Sequence, residues 1–107
     1  MTNARLVLTT IGSKDAAEQL ARQLVERRLA ACVNMVGPVG SVYRWKQKIE
    51  HEQEYLLLIK TTAGRLAGLQ VALKQLHPYE LPECVAMAME GGSEEYLAWL
   101  AEEVSRQ

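Results

Sequence analysis

The segment KQLHPYELPE, residues 74–83, holds the side chains of this sequence that are best suited to bind a ligand. His77 is the strongest candidate metal ligand, because a neutral imidazole beside the rigid Pro78 could be held ready for a divalent ion. A structural role competes with this interpretation, since a histidine in the last turn of a helix also stabilises the negative end of the helix dipole. Tyr79 and Glu80 follow, fixed between two prolines, and are predicted to line a pocket or a subunit joint.

A second group of candidates lies in SVYRWKQKIE, residues 41–50. The period-two pattern predicts a half-buried ribbon with Tyr43, Trp45, Gln47 and Ile49 on one side. Aromatic and basic residues interleaved in this way could stack on bases and contact phosphates. RNA-recognition domains, however, need a strand rich in Phe and Gly, and this chain contains no Phe. We therefore predict a protein interface at the ribbon and no nucleic-acid partner.

The remaining candidates give weaker signals. Lys60 could face an anion in a cleft between subunits, and Trp99 near the end of the chain is predicted to pack or to contact a neighbouring subunit. The segment EHEQE, residues 50–54, lacks the second histidine of a zinc-protease helix and is predicted to be a solvated strand entrance. Cys32 and Cys84 form no CxxC pair and are expected to be reduced, buried hydrophobes. No nucleophile and base stand at a recognisable spacing and no phosphate loop occurs, so we expect no enzyme.

Length and charge predict a single soluble domain over residues 1–107. Twelve Lys and Arg against thirteen Asp and Glu give a net charge of -1, so no global field attracts nucleic acid or anionic lipid. The longest apolar run, residues 84–89, is far shorter than the roughly 20 residues of a membrane helix. Without a signal-peptide pattern at its start, the chain is predicted to be cytoplasmic.

The periodicities predict the element order β-α-β-β-α-β-α. The strands are expected at residues 5–12, 31–36, 54–62 and 83–90, with a bend or bulge at 37–40 before the ribbon; the helices are expected from the cap Ser13 to near Arg28, over 63–77, and after the cap Ser93. Two right-handed β-α-β crossovers joined by a hairpin give an α+β, ferredoxin-like split β-α-β sandwich, with an antiparallel sheet and two helices on one face.

The other face of this sheet is predicted to be apolar and therefore to need a cover. The ribbon and the apolar third strand, residues 54–62, are candidates for contact between subunits, so we predict a homo-oligomer. In the alternative, the C-terminal helix crosses the sheet and closes it within one chain.

Several segments together resemble one family, the CutA-type divalent-cation tolerance proteins. The matching stretches are LAACVNMV, SVYRWKQKIE, EYLLLIKTT, LHPYELPE and YLAWL, and their order and spacing span nearly the whole chain. The resemblance implies a homotrimer of ferredoxin-like subunits, in which the long hairpin of each subunit pairs with its neighbours' sheets. It also implies binding of a divalent metal such as copper, Cu(II), with no obligatory cofactor and no catalytic reaction.

The resemblance bears on individual site residues as well. Copper-binding members of the family can supply a cysteine from the first strand and two adjacent histidines before Pro-Tyr. Here Thr9 stands at the cysteine position and Leu76 at the first histidine position, so only His77 matches. The family is also similar in architecture to the trimeric nitrogen-regulatory signalling proteins, which implies the alternative of a small anionic ligand in the inter-subunit cleft. The physiological metal or ligand and the downstream partner stay open.

Overall fold

The computed structural model describes residues 2–105 and has the predicted order of elements. The strands are β1 (Ala4–Ile11), β2 (Cys32–Trp45), β3 (Lys48–Thr62) and β4 (Val85–Ala88); the helices are α1 (Lys14–Glu26), α2 (Leu66–Leu76) and α3 (Glu94–Val104), with a 3₁₀ turn at Ala63–Arg65. The strand order in the sheet is β2-β3-β1-β4 and every neighbouring pair is antiparallel. This order is the one that the split β-α-β arrangement requires. The α+β prediction is thereby confirmed.

The chain reverses direction within the segment that was predicted to be one continuous ribbon. The reversal changes which of its side chains lie on the same face. β2 ends at Trp45 and β3 begins at Lys48, with Lys46 and Gln47 in the left-handed region at φ 49° and 69°. Two residues with positive φ form the tight turn whose twist matches a hairpin. Because the chain reverses there, Ile49 pairs with Arg44 and lies opposite to the side that holds Trp45. The prediction that Gln47 and Ile49 share a side with Trp45 is therefore wrong.

The predicted bend at residues 37–40 is a bulge within one long strand. The register of β2 against β3 shifts between Val36 and Val39, and the Gly37–Pro38 peptide bond is cis. A Cβ atom on Gly37 would lie 2.5 Å from the ring of Tyr55. Glycine is therefore required at this point, because the tyrosine ring lies directly against the backbone.

The N-caps of the helices agree with the prediction more closely than the helix bounds do. The hydroxyl oxygens of Ser13 and Ser93 accept hydrogen bonds from the third residue along, as N-caps should. The second helix was predicted over 63–77, but its first three residues form the 3₁₀ turn and His77 is extended, with ψ at 135°. The reason for the early end is Pro78, whose ring disfavours a helical conformation in the preceding residue.

The main hydrophobic core lies between the sheet and the helices α1 and α2. One face of β1 and β3 supplies Val7, Ile11, Leu57 and Ile59, and all four are at most 1% exposed. Leucines and alanines of the two helices complete this core: Ala17, Leu20, Ala21, Leu24, Leu69, Ala72 and Leu73.

The second face of the sheet is apolar and mostly open in the single chain. By alternation along the paired strands this face carries Leu6, Leu8, Val36, Leu56, Leu58, Val85 and Met87. Val36, Val85 and Met87 are 45%, 49% and 40% exposed. Helix α3 covers only one end of this face, where Leu100 and Val104 pack against Ala4. Closure by the C-terminal helix, the alternative considered above, does not occur. Over residues 2–105, the helices are too short or too polar to cross a membrane.

Candidate ligand cavity

A cavity of about 900 Å³ lies between the β2–β3 hairpin and the loop that joins α2 to β4. Its lining is Thr10, Ser41, Val42, Tyr43, Trp45, Glu50, Glu52, Glu54, Tyr79, Glu80, Leu81, Pro82, Glu83, Cys84 and Val85. Four of the predicted site residues meet here: Tyr43, Trp45, Tyr79 and Glu80. Clefts of this size with aromatic walls are typical of small-molecule sites.

The hairpin forms one wall of the cavity. Tyr43 lies directly opposite Glu50 in the strand register, and Trp45 lies opposite Lys48. The Tyr43 hydroxyl donates a hydrogen bond to the carboxylate of Glu52, the diagonal neighbour across the strands. This bond, followed by desolvation and by the charge of Glu52, raises the pKa of Tyr43 to about 12. The wall therefore presents the ring of Tyr43 hydrogen-bonded to the carboxylate of Glu52.

The loop after α2 forms the opposite wall, and Tyr79 ties it to the sheet. The Tyr79 hydroxyl donates to Oε2 of Glu54 at 2.6 Å. Glu54 is only 4% exposed, so this phenol is a close partner for a buried carboxylate. A Cβ atom on Gly12 would lie 3.3 Å from the Tyr79 oxygen, so the glycine leaves room for the phenol. The pKa of Tyr79 is raised well above its usual range, mainly by burial and secondly by the hydrogen bond to Glu54.

His77 lies behind this loop and uses both ring nitrogens in the fold. Its Nε2 lies 2.7 Å from the carbonyl oxygen of Thr10, and its Nδ1 lies 3.1 Å from the backbone nitrogen of Tyr79. Because a carbonyl only accepts and an N–H only donates, the ring is neutral with its proton on Nε2. The residue is 5% exposed. A metal ion could bind His77 only in exchange for one of these two hydrogen bonds.

The other family positions for metal ligands lie away from the cavity. Thr9 is completely buried on the helix side of the sheet, and Leu76 is half-buried against the main core. Cys84 lines the cavity, but burial and then the charge of Glu83 raise the pKa of its thiol. In residues 2–105, no three His, Cys, Asp or Glu side chains lie together in a way that could hold a metal ion. One copy of the chain therefore offers no ready-made metal centre within that range.

The structure separates the remaining predicted residues from this cavity. Lys60 lies at the far end of the second face, where its Nζ donates to Oδ1 of Asn34 at 2.6 Å. Trp99 is 43% exposed on α3 and its ring lies 5.4 Å from that of Tyr96. The expectation that both cysteines are buried is wrong, because each is half-buried.

Sequence reasoning missed the three glutamates of the hairpin wall. Residues 50–54 were predicted to be a solvated entrance, but Glu50, Glu52 and Glu54 line the cavity, and Glu54 is buried. The available signal was their period-two spacing, which places all three on one face of a strand.

Comparison with known proteins identifies relatives that match most of this chain. The family described as "CutA1 divalent ion tolerance protein" matches residues 5–103. The "Divalent-cation tolerance protein CutA" of Thermus thermophilus is 47% identical over 97 residues, which cover 91% of this chain and 94% of that protein. "Protein CutA" of Mus musculus is 41% identical over 85% of this chain, but the match spans only 51% of the mouse protein. The crystal structure of CutA from Xylella fastidiosa superposes with a TM-score of 0.93 at 42% identity and covers 96% of this chain and 99% of the other.

Proposed function

Because this chain belongs to the CutA1 divalent ion tolerance family, we propose that it is a non-enzymatic homotrimer that binds divalent metal in a tolerance role. The observation that supports the assembly most directly is the open apolar face of the sheet. Val36, Val85 and Met87 lie on that face and remain at least 40% exposed in one copy. Apolar surface of this extent favours burial against another chain. The number of three subunits comes from the resemblance.

Assembly can be tested through the hairpin. Trp45→Ala is expected to shift the sedimentation-velocity profile toward smaller species at dilute protein, with unchanged far-UV circular dichroism, because large aromatic side chains anchor interfaces. Val71→Ala is the control, since Val71 is 57% exposed on the outer side of α2. An unchanged mass for the Trp45 variant under dilution would count against the hairpin as a subunit contact.

The metal, with Cu(II) as the first candidate, is proposed to bind through His77. One copy has no group of three suitable ligands among residues 2–105, so a second copy would have to complete the site. Binding through Nδ1 would also release the backbone N–H of Tyr79. We therefore expect the loop that begins at Pro78 to rearrange when the metal binds.

Calorimetric titration of the assembled protein with Cu(II) and Zn(II) tests this site. Loss of binding in His77→Ala, but not in the exposed control His51→Ala, is the expected result. Electron paramagnetic resonance separates a structural effect of His77 from ligation, because nitrogen coupling to Cu(II) appears only when a nitrogen atom is a ligand and should be lost in His77→Ala but kept in His51→Ala. Equal affinity in wild type and His77→Ala would move the site elsewhere.

The alternative function, a signalling module with a small anionic ligand, does not fit the charges of this cavity. Its lining, within the described part of the chain, has five glutamates and no lysine or arginine. An anion would meet like charge there. The anion hypothesis therefore rests on Lys60 at the far end of the face, which was predicted to face an anion between subunits. A rise in melting temperature with inorganic phosphate in the absence of metal, lost in Lys60→Gln, would favour it.

A cytoplasmic location is likewise proposed on the sequence alone. Relatives differ in this property, since the Arabidopsis thaliana protein is named chloroplastic and the Archaeoglobus fulgidus structure is called periplasmic. Fractionation of the source cells with an antibody to the chain would decide the compartment.

A further inference from the structure

We propose that helix α3 is a strap that opens and closes over one end of the second face of the sheet, independently of the rest of the fold. Two arginines, Arg28 and Arg65, form the latch that holds this strap closed. The strap uses neither the hairpin nor His77, and every contact that closes it lies within one chain. It therefore does not depend on the proposed metal binding.

The latch joins three elements at the last turn of α3. Arg28, which follows α1, donates from Nη1 to the carbonyl oxygen of Glu103 at 2.9 Å. Arg65, in the 3₁₀ turn before α2, donates from Nε to the carbonyl oxygen of Val104 at 2.6 Å. The last carbonyls of a helix have no partner within the helix and carry the negative end of its dipole. Two cationic donors from distant parts of the chain therefore hold the C-terminal end of α3.

Arg28 occupies a backbone position that favours glycine. Its φ is 57°, and its backbone nitrogen donates to the carbonyl oxygen of Val25, as in the Schellman motif that ends many helices. Glycine adopts this conformation without strain, whereas a residue with a side chain does not. Arg28 thus costs backbone free energy at the end of α1, while its side chain contributes to the docking of α3.

The docked side of α3 is small and separate from the main core. Its buried residues are Leu100 and Val104, which pack with Ala4 and Ala31 in a cluster of their own. Helices α1 and α2 pack into the main core instead, with four and three buried residues. Local opening is easiest where few apolar side chains are buried, so α3 is expected to open before the core does.

Two glycines at the start of α3 provide a hinge. Gly91 and Gly92 are both exposed, and a Cβ atom on Gly91 would have no atom within 4 Å. No close contact therefore restrains this position, and glycine can absorb the change in φ and ψ that a hinge requires. Opening of the strap would uncover Ala4 and Ala31 and so lengthen the apolar face.

Hydrogen exchange of the backbone amides in the assembled protein, read by mass spectrometry, tests the strap. In wild type, α3 should exchange at least about tenfold faster than the central turns of α1, which corresponds to about 1.4 kcal/mol. Low urea should leave the rates in α3 unchanged, because opening of a small unit exposes little surface. Equal exchange in α3 and α1 would overturn the proposal, since the strap would then stay closed as long as the core does.

Variants of Arg28 test the latch. Arg28→Ala keeps a residue with a side chain at positive φ, and should speed exchange in α3 about a further tenfold while the central turns of α1 stay unchanged. Arg22→Ala, at an exposed position on α1, is the control and should change neither. Arg28→Gly relieves the backbone and should still speed exchange in α3 alone, which separates the latch from general destabilisation. Unchanged exchange in α3 of Arg28→Ala, or equal acceleration of α1 and α3 in Arg28→Gly, would show that Arg28 is not a latch.

Discussion

Removing the hydroxyl oxygen of Tyr79 is expected to destabilise the protein by about 2 kcal/mol. In Tyr79→Phe the ring keeps its packing, but Glu54 loses the phenol that donates to it at 2.6 Å. Hydrogen bonds to charged groups contribute roughly 1.5 to 3 kcal/mol, and a value in the lower half of that range applies because Tyr79 is only half-buried. The 4% exposure of Glu54 prevents water from replacing the lost donor fully.

Urea unfolding at one fixed protein concentration is the appropriate assay, because assembly makes apparent stability depend on concentration. The midpoint should fall while the slope m stays constant, since the same surface is exposed on unfolding. Tyr43→Phe is the matched control, because its hydroxyl also donates to a glutamate but at an exposed position. Equal midpoints for the two variants would refute the assignment of Tyr79–Glu54 as the tether of the loop.

Stability at alkaline pH gives an independent test of the hydrogen bond between Tyr79 and Glu54. Burial and the charge of Glu54 raise the pKa of Tyr79 above its ordinary value of 10.0. The unfolded chain therefore ionises this phenol before the folded chain does. The stabilisation from Tyr79 is complete below pH 10 and is lost as the pH rises through the folded pKa. The difference between wild type and Tyr79→Phe should accordingly shrink above about pH 10, and a constant difference there would contradict the argument.

Two backbone predictions follow from the hairpin. Gln47→Gly should raise the free energy of unfolding by about 1 kcal/mol, because Gln47 has φ at 69° and glycine adopts that conformation without strain. Lys48→Gly in the adjoining strand is the control and should lower the free energy of unfolding. Urea midpoints measure both changes, and a loss of stability in Gln47→Gly would contradict the turn geometry. Gly37→Ala should destabilise by about 1 to 3 kcal/mol, because its Cβ would lie 2.5 Å from the ring of Tyr55. Gly64→Ala is its control, with no atom within 4 Å of the added Cβ, and equal midpoints for these two alanine variants would count against the close contact.

The parts of the fold that the sequence predicts well are those set by local patterns. The caps Ser13 and Ser93 both accept the expected hydrogen bond, and the apolar spacing after them marks the helices. The end of α2 was also predictable, because the restriction that Pro78 places on His77 is a local effect. Periodicity placed Tyr43 and Trp45 together on one face, where both contribute to the cavity.

The errors arose where distant residues decide the outcome. The turn at Lys46 and Gln47 contains no glycine, so the usual signal for a two-residue hairpin was missing. Glu54 is buried because a phenol 25 positions later in the chain donates to it, and no pattern near Glu54 reports that partner. Tertiary contacts of this kind override the preference of a carboxylate for solvent.

His77 couples the proposed metal site to the tether of the loop. Its Nδ1 accepts from the backbone of Tyr79, and Tyr79 in turn donates to Glu54. A metal that took Nδ1 would release the backbone N–H of Tyr79 and loosen the bond to Glu54, so Cu(II) should reduce the stability difference between wild type and Tyr79→Phe. Urea midpoints of the two proteins with and without Cu(II) measure this change. An unchanged difference in Cu(II)-loaded protein would show that the metal binds without displacing the loop.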